Sequence, residues 1–455
     1  WHRGNYCDHP VLGKYIPENL LDAMIFTHSH YDHVGGVSLV RPDMPIYTHP
    51  LTTLMLKFWQ YSSGRSINQF VDLIDQFSPI PNLEGKTKFM NGEEAVIPRD
   101  YRPVENGVPF YIKNLKITPY LVDHSVPGAM GWIIETNSGN IAISGDIRLR
   151  GRRGEDTENF IQACIKHKVK YILWEGSLLH FEHGGKEEDV SEEVAKRLKG
   201  KDFAAIAFPP RELERITSLY EACRVTGRTL VLTATQANLL RAFGGINGYP
   251  EFNAKHIAYM LPPKNKGLID REDEFSQEMI ERDYFYTERL ILKMSRWDGP
   301  KKKSQRVSLE DIANNQDQFL MYFPMQYFDL LPRIFAKNNT MNNIYIRSHP
   351  GPWTKEMEIQ EAQQINYLQH YGMYSGPMVD EFSSSIMRNM LQIHITGHMN
   401  REETRESLRR IREATNCTLI PYHTMNPREF EKDVYKDGNV IIPKLKEKIV
   451  FKKAA

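Results

Sequence analysis

Short apolar runs and amphipathic stretches alternate along the first two hundred residues of the chain. Residues 22–27, 46–48, 115–122, 132–136, 141–144 and 171–174 are apolar runs too short for stable helices, and the pattern predicts strands there. Residues 51–61, 157–167 and 191–198 repeat apolar side chains three and four apart, which predicts helices. Strands mixed with helices in this way imply a layered α/β domain. A second α/β module is expected from residue 204, where the run 204–208, the amphipathic stretch 211–226 and the run 229–233 make a strand, helix, strand unit suited to a parallel crossover. Further on, 343–347 reads as a strand and 356–370 as a helix, and 391–396, 401–415 and 417–422 read as one more strand, helix, strand unit. The expected segments are 1–203, 204–352 and 353–455, the last returning to the first domain.

At 455 residues the chain is too long for one simple core, which suits that division. Lys+Arg 58 balance Asp+Glu 57, so no global basic field points to a polyanion, and any nucleic-acid groove has to be local. The run Lys301-Lys302-Lys303 reads first as a solvated loop, with phosphate contact as the alternative. Cys7, Cys164, Cys223 and Cys417 lie far apart without a Cys-x-x-Cys pair, which argues against a disulfide framework and for a reducing compartment. No apolar run is long enough to span a bilayer and the start does not resemble a signal peptide, so the cytoplasm is the expected location. The chain opens at Trp1, and 22–27 is its first convincing strand, so the start is expected to be clipped or processed.

The most informative stretch is Phe26-Thr27-His28-Ser29-His30-Tyr31-Asp32-His33-Val34-Gly35-Gly36. It concentrates imidazoles and a carboxylate at metal-ligand spacing, which points to a two-metal hydrolase. His28 and His30, two apart at a strand end, project the same way towards one ion. Asp32 and His33 then serve a second. Neutral imidazole and carboxylate suit zinc or a similar divalent ion.

Later positions repeat one pattern, a polar ionisable residue just past an apolar strand, where side chains from separate strands converge. They are His124, Asp146, Glu175, His398 and His423. A cap or turn residue is the plainer reading of each one alone; the repetition carries the argument.

The run Thr27 to Gly36 resembles the second motif of the metallo-β-lactamase superfamily, and Asp123-His124-Ser125 and Ser144-Gly145-Asp146 resemble its third and fourth. Glu175, His398 and His423 are similar in context to motifs A, B and C of the β-CASP nucleases, and the text around His398 and Pro421-Tyr422-His423 looks most like the ribonuclease J branch. The resemblance is strong over residues 20–180 and 375–430 and architectural between them. It implies an α/β fold, a metallo-β-lactamase αββα sandwich with an inserted β-CASP αβ domain. It also implies that His28, His30 and His124 hold a first Zn2+, that Asp32, His33 and His423 hold a second, and that Asp146 bridges both, with Mn2+ or Mg2+ as substitutes. Asp32, His398 and Glu175 are the implied catalytic residues, His398 giving a proton to the leaving alkoxide and Glu175 favouring its charged form. The implied substrate is single-stranded RNA, cut by an exo- or endonuclease; no membrane partner is expected, and a homodimer is one assembly the reading allows. Arg347-Ser348 at a strand end and Ser383-Ser384-Ser385 before the final domain segment read first as solvated features, with phosphate contact as the alternative.

Two features depart from the family pattern. Met399 and Asn400 stand where the branch has alanine and a small polar residue, which implies a differently shaped pocket beside His398. The superfamily's first motif, an aspartate on an early strand, has no match in residues 1–19, where Asp8 sits in Cys7-Asp8-His9-Pro10. Two other readings compete. A small-molecule hydrolase of the same superfamily shares the ligands through Asp146 and has no need of Glu175 or His398. A non-catalytic RNA-processing scaffold is expected to have lost ligands that this chain keeps.

Overall fold

The computed structural model describes residues 21–39, 43–62, 73–75, 80–81, 87–88, 96–182, 185–261, 278, 282–284, 288–289, 305–338, 342–352, 354–373, 393–436, 438–444 and 447–451. The chain divides into two units, Trp1–His183 with Gly397–Ala455, and Gly184–Thr396.

In the first unit a seven-stranded sheet runs in the order Asn439–Val440, Thr418–Tyr422, Val169–Glu175, Asn140–Ile143, Met130–Glu135, Leu115–Leu121, Phe110–Ile112. A parallel three-stranded sheet is made by Met24–Ile25, Ile46–Thr48 and Tyr101–Pro103. Alternation along Met130–Glu135 explains the layering, because successive side chains point to opposite faces. Ile133 joins Ile172 and Trp174 against Phe160, Ile161, Leu408 and Ile411 of the helices Gly154–Lys166 and Arg401–Thr415. Met130 and Trp132 turn the other way and meet Ile25 and Tyr47 of the small sheet and Val104 just past it. Beyond that sheet, Phe26 and Ile46 pack on Val34, Val37 and Leu56, the last from the helix Pro50–Ser62. The layers are helix, sheet, sheet, helix, the αββα sandwich that the resemblance implied.

The helix Arg401–Thr415 accounts for both departures beside His398. The Asn400 side chain accepts from Glu403 N at 2.9 Å while the Glu403 carboxylate accepts from Asn400 N at 3.1 Å, a reciprocal cap. Met399 is buried in the core with Leu408 and Ile411. Both residues serve the helix and its packing.

The second unit holds a five-stranded sheet in the order Ile257–Met260, Thr229–Thr233, Phe319–Tyr322, Ala204–Ala207, Ile344–Arg347, every neighbouring pair parallel. Ala204–Ala207 and Thr229–Thr233 are joined by the helix Leu213–Thr226 as expected, but Phe319–Tyr322 lies between them. Arg215 on that helix is buried; it donates to both oxygens of Glu187 at 2.9 and 3.1 Å, to Ser348 Oγ at 2.5 Å and to the carbonyl of Ile395 at 3.3 Å. This one cation gathers the helix Glu187–Leu198 and the segments near 348 and 395 into the unit. The two units divide at 183/184 and 396/397.

The stretch read as a strand at 391–396 is different. Residues 394–396 carry no regular structure, and 391–392 lie outside the described residues. Side chains take the place of a ladder, since Ser348 Oγ donates to Ile393 O at 2.8 Å and Arg215 to Ile395 O. These bonds also occupy the buried Ser348, while Arg347 is paired with Glu361. Lys301-Lys302-Lys303 and Ser383-Ser384-Ser385 lie outside the described residues. Cys164, Cys223 and Cys417 are buried free thiols, and among the described residues no helix is long and apolar enough to cross a membrane.

Candidate metal centre

Parallel strands end side by side, and this brings the later side chains together. Val169–Glu175 lies between Asn140–Ile143 and Thr418–Tyr422, with Glu175 opposite Tyr422 and Ile143 opposite Leu173. Asp146, Glu175 and His423 thus leave the same edge of one sheet. Gly145, with φ 64°, lets the chain turn there; an added Cβ would lie 2.9 Å from Met130 O. His423 has φ 47°, a left-handed conformation that costs a non-glycine residue about 1–3 kcal/mol and marks a constrained position.

The early motif follows Met24–Ile25. Met130 N donates to Thr27 O at 2.8 Å, fixing the loop that carries His28 and His30, and the turn of helix Tyr31–Val34 presents Asp32 and His33. His124 follows strand Leu115–Leu121. Its neighbour Asp123 is held by Arg148 in a buried ion pair at 3.1 Å and by Thr157 Oγ1 at 2.8 Å to the backbone N–H.

The side chains gather in overlapping groups. The first contains His28, His30, His124 and Asp146, the second Asp32, His33, Asp146 and His423, each with ligand atoms within 4.8 Å of one another. His30 Nδ1 lies 3.1 Å from His28 Nε2 and 2.9 Å from His124 Nε2. Asp146 Oδ2 lies 3.6 Å from His28 Nε2 and 3.2 Å from His33 Nε2, so Asp146 belongs to both groups. His423 Nε2 is 3.0 Å from Asp32 Oδ2. A third group joins Glu175, His398 and His423, with His398 Nδ1 at 3.0 Å from Glu175 Oε1 and 4.0 Å from Asp146 Oδ2.

Partners outside the cluster assign the tautomers. His124 Nδ1 faces the carbonyl of Gly397 at 2.5 Å; a carbonyl only accepts, so Nδ1 carries the proton and Nε2 offers its lone pair inward. Ser177 Oγ donates to the His423 carbonyl at 3.2 Å and so accepts from His423 Nδ1 at 2.8 Å. Thr27 Oγ1 lies 3.0 Å from His28 Nδ1, leaving Nε2 for the centre.

The electrostatics differ between the groups. Burial and the neighbouring His124 hold His28 well below the usual imidazole range, burial with His30 does the same to His124, and burial lowers His30 to about 4. These rings are neutral in ordinary solution. Burial also opposes charge on His33, but Asp146 and Asp32 prevail and hold it up to about 9. The Asp32 hydrogen bond raises His423. Against burial, their histidine partners keep the carboxyls of Asp32 and Asp146 well below the usual range. At His398 burial is overridden by the Glu175 charge and hydrogen bond, and the ring is held up to about 9.

A metal fits this arrangement. Three imidazole nitrogens converge at 2.9 to 3.1 Å with their outer nitrogens turned to other partners, and buried Asp146 Oδ1 makes no hydrogen bond. Imidazole nitrogens gathered at such distances beside an unbonded carboxylate oxygen suit a shared divalent cation.

Residues 13–204 match the family model described as metallo-beta-lactamase superfamily. The chain carries a metallo-β-lactamase domain. Ribonuclease J of Mycoplasma pneumoniae is 30% identical over 141 residues, 30% of this chain and 19% of that protein. Ribonuclease J of Sinorhizobium meliloti is 25% identical over 261 residues, 55% of this chain and 41% of that protein. The chain spans less than half the length of these curated relatives. A crystal structure of a protein of unknown function from Enterococcus faecalis shares the fold, with TM-score 0.59 and 16% identity over 93% of this chain and 79% of that one. The metallo-β-lactamase superfamily binds divalent metals, and the histidine and aspartate donors of this domain suit them.

Sequence reasoning left out Thr27, Ser177 and the Gly397 carbonyl, which orient the rings of the metallo-β-lactamase domain. Thr27 adjoins His28 and Ser177 follows Glu175 by two, so proximity to a motif was their one visible signal.

Proposed function

We propose that this chain is a metal-dependent phosphodiesterase that cuts single-stranded RNA in the manner of ribonuclease J, with zinc as its metal and the cytoplasm as its compartment. His28, His30 and His124 would hold one ion, Asp32, His33 and His423 the other, and Asp146 both. Such a pair supplies Lewis-acid activation of water and neutralises phosphate charge. Gly184–Thr396 is the inserted β-CASP module in this reading.

The observation that carries the proposal is the pair His398 and Glu175. A hydrolase of small activated substrates has good leaving groups, whereas a phosphodiester releases an alkoxide that must gain a proton. His398 donates through Nδ1 to Glu175 at 3.0 Å, its charged form is held up to about 9, and it adjoins Asp146 at 4.0 Å. That is an imidazolium beside the cluster, poised to give the Nε2 proton. Asp32, kept ionised by His33 and His423, is the exposed carboxylate of the ligand set and would orient water by accepting a hydrogen bond. The relatives named ribonuclease J support RNA as the substrate.

The test is cleavage of a 5′-monophosphorylated, 3′-labelled single-stranded RNA beside the same DNA and a chromogenic lactam, each with and without chelator. Chelator-sensitive cutting of RNA alone is expected. Lactam turnover without nucleic-acid cleavage would overturn the reading.

A further inference from the structure

The turn after strand Val169–Glu175 touches two groups that the proposed chemistry uses for different ends. Ser177 N donates to Glu175 Oε2 at 2.8 Å, while Glu175 Oε1 receives His398 Nδ1 at 3.0 Å. Through its hydroxyl the same serine meets His423 twice, accepting from Nδ1 at 2.8 Å and donating to the carbonyl at 3.2 Å. Gly176 N donates to that carbonyl as well, at 3.3 Å.

These contacts fall where the chain needs them. The left-handed backbone of His423 is unfavourable unless its surroundings impose it, and the donors from Gly176 and Ser177 grip the carbonyl that defines it. The hydroxyl then fixes the ring, because its own proton is committed to the carbonyl and it can only accept from Nδ1. His423 Nε2 is thereby left towards Asp32, 3.0 Å away. On the other side, a carboxylate free to rotate would offer His398 a poorly aligned acceptor. The Ser177 N–H holds one Glu175 oxygen and so sets the direction of the other. Position 176 has no room for a side chain, since an added Cβ would lie 2.7 Å from the Phe430 ring.

We infer that Ser177 is a positioning residue that couples the second metal site to the proton donor, orienting the His423 ring and the Glu175 carboxylate from one turn. The inference rests on the ligand role of His423 and the donor role of His398 proposed above.

The experiment compares the full chain with Ser177→Ala and Ser177→Thr, using zinc titration against a chelating dye and steady-state cleavage of single-stranded RNA at saturating zinc. In Ser177→Ala the first equivalent of zinc binds as in the parent and the second binds roughly 10- to 100-fold more weakly, the usual cost of losing a group that orients a ligand. At saturating zinc kcat falls while KM holds, since RNA binding is untouched. Alanine keeps the N–H that meets Glu175, but without the hydroxyl's grip on His423 the turn no longer holds that N–H in line. Ser177→Thr keeps the hydroxyl and restores both. The inference is overturned if Ser177→Ala matches the parent in both measurements, if only one of them moves, or if Ser177→Thr is no better than Ser177→Ala. A parent chain that takes up no second zinc or leaves RNA intact defeats the proposed function itself, and that result appears before any variant is read.

Discussion

His124 donates through Nδ1 to the carbonyl of Gly397 at 2.5 Å, joining residues 273 positions apart. The contact ties a ligand candidate in the first part of the chain to the residue preceding His398. It also requires glycine: a Cβ on Gly397 would lie 2.5 Å from His124 Cε1 and 3.0 Å from Ser125 Oγ. Gly397→Ala should therefore displace the His124 ring and weaken the first metal site, by roughly 10- to 100-fold if the loss resembles that of other orienting groups. Zinc titration checks this, with far-UV circular dichroism showing that the helices persist. Unchanged affinity for both equivalents would mean that the ring is oriented by something else.

The two groups should respond to pH differently. His28, His30 and His124 are neutral down to acid pH, so protons compete little with a metal there. His33 is held up to about 9, so at pH 7 it carries a proton that a metal must displace. Raising the pH towards 9 removes that competition, and lowering it strengthens it. Titration calorimetry at pH 7 in buffers of different ionisation enthalpy should show proton release with the second equivalent of zinc and little with the first. Acidification should strip the second site first. Equal proton release by both equivalents would contradict the assignment.

Much of the centre was legible because a polar residue after an apolar run marks the end of a strand, and parallel neighbours end together. Asp146, Glu175 and His423 are placed by that rule, and the register of Glu175 against Tyr422 shows why. What could not be read was the partner of each ring. The acceptor of His124 is a backbone carbonyl, which no residue type announces, and the partner of His423 is a serine whose role depends on a left-handed turn. Residues 391–396 misled for a related reason. Their apolar pattern fits a strand, but a buried arginine from another helix takes the carbonyl that a ladder would use.

His398 and Asp146 should separate chemistry from metal holding. His398→Ala should lose most turnover and keep both metals, whereas Asp146→Ala should lose metal as well, since Asp146 belongs to both ligand groups. Glu175→Gln adds a pH signature. The proton donor works only while charged, so kcat falls as pH rises through the His398 value, held near 9 by Glu175. Without that carboxylate the fall should begin at lower pH. Equal metal loss in His398→Ala and Asp146→Ala would sink the distinction.

The second unit offers a test free of metals. Arg215 and Glu187 are both 1% exposed and paired at 2.9 Å, and the arginine also holds Ser348 and Ile395 O. Removing the carboxylate alone leaves a cation buried with its hydrogen bonds half satisfied, which costs about 3–5 kcal/mol in comparable cases. Glu187→Ala should lower the denaturation midpoint of the unit that contains it. Replacing both residues by apolar ones of similar size, as in Arg215→Met with Glu187→Leu, should recover much of the loss, because the buried cation leaves together with its buried partner and only Glu212, 3.9 Å from the arginine and partly exposed, loses a contact. If the double variant is as unstable as the single one, the arginine matters for the segments it gathers more than for the charge it neutralises.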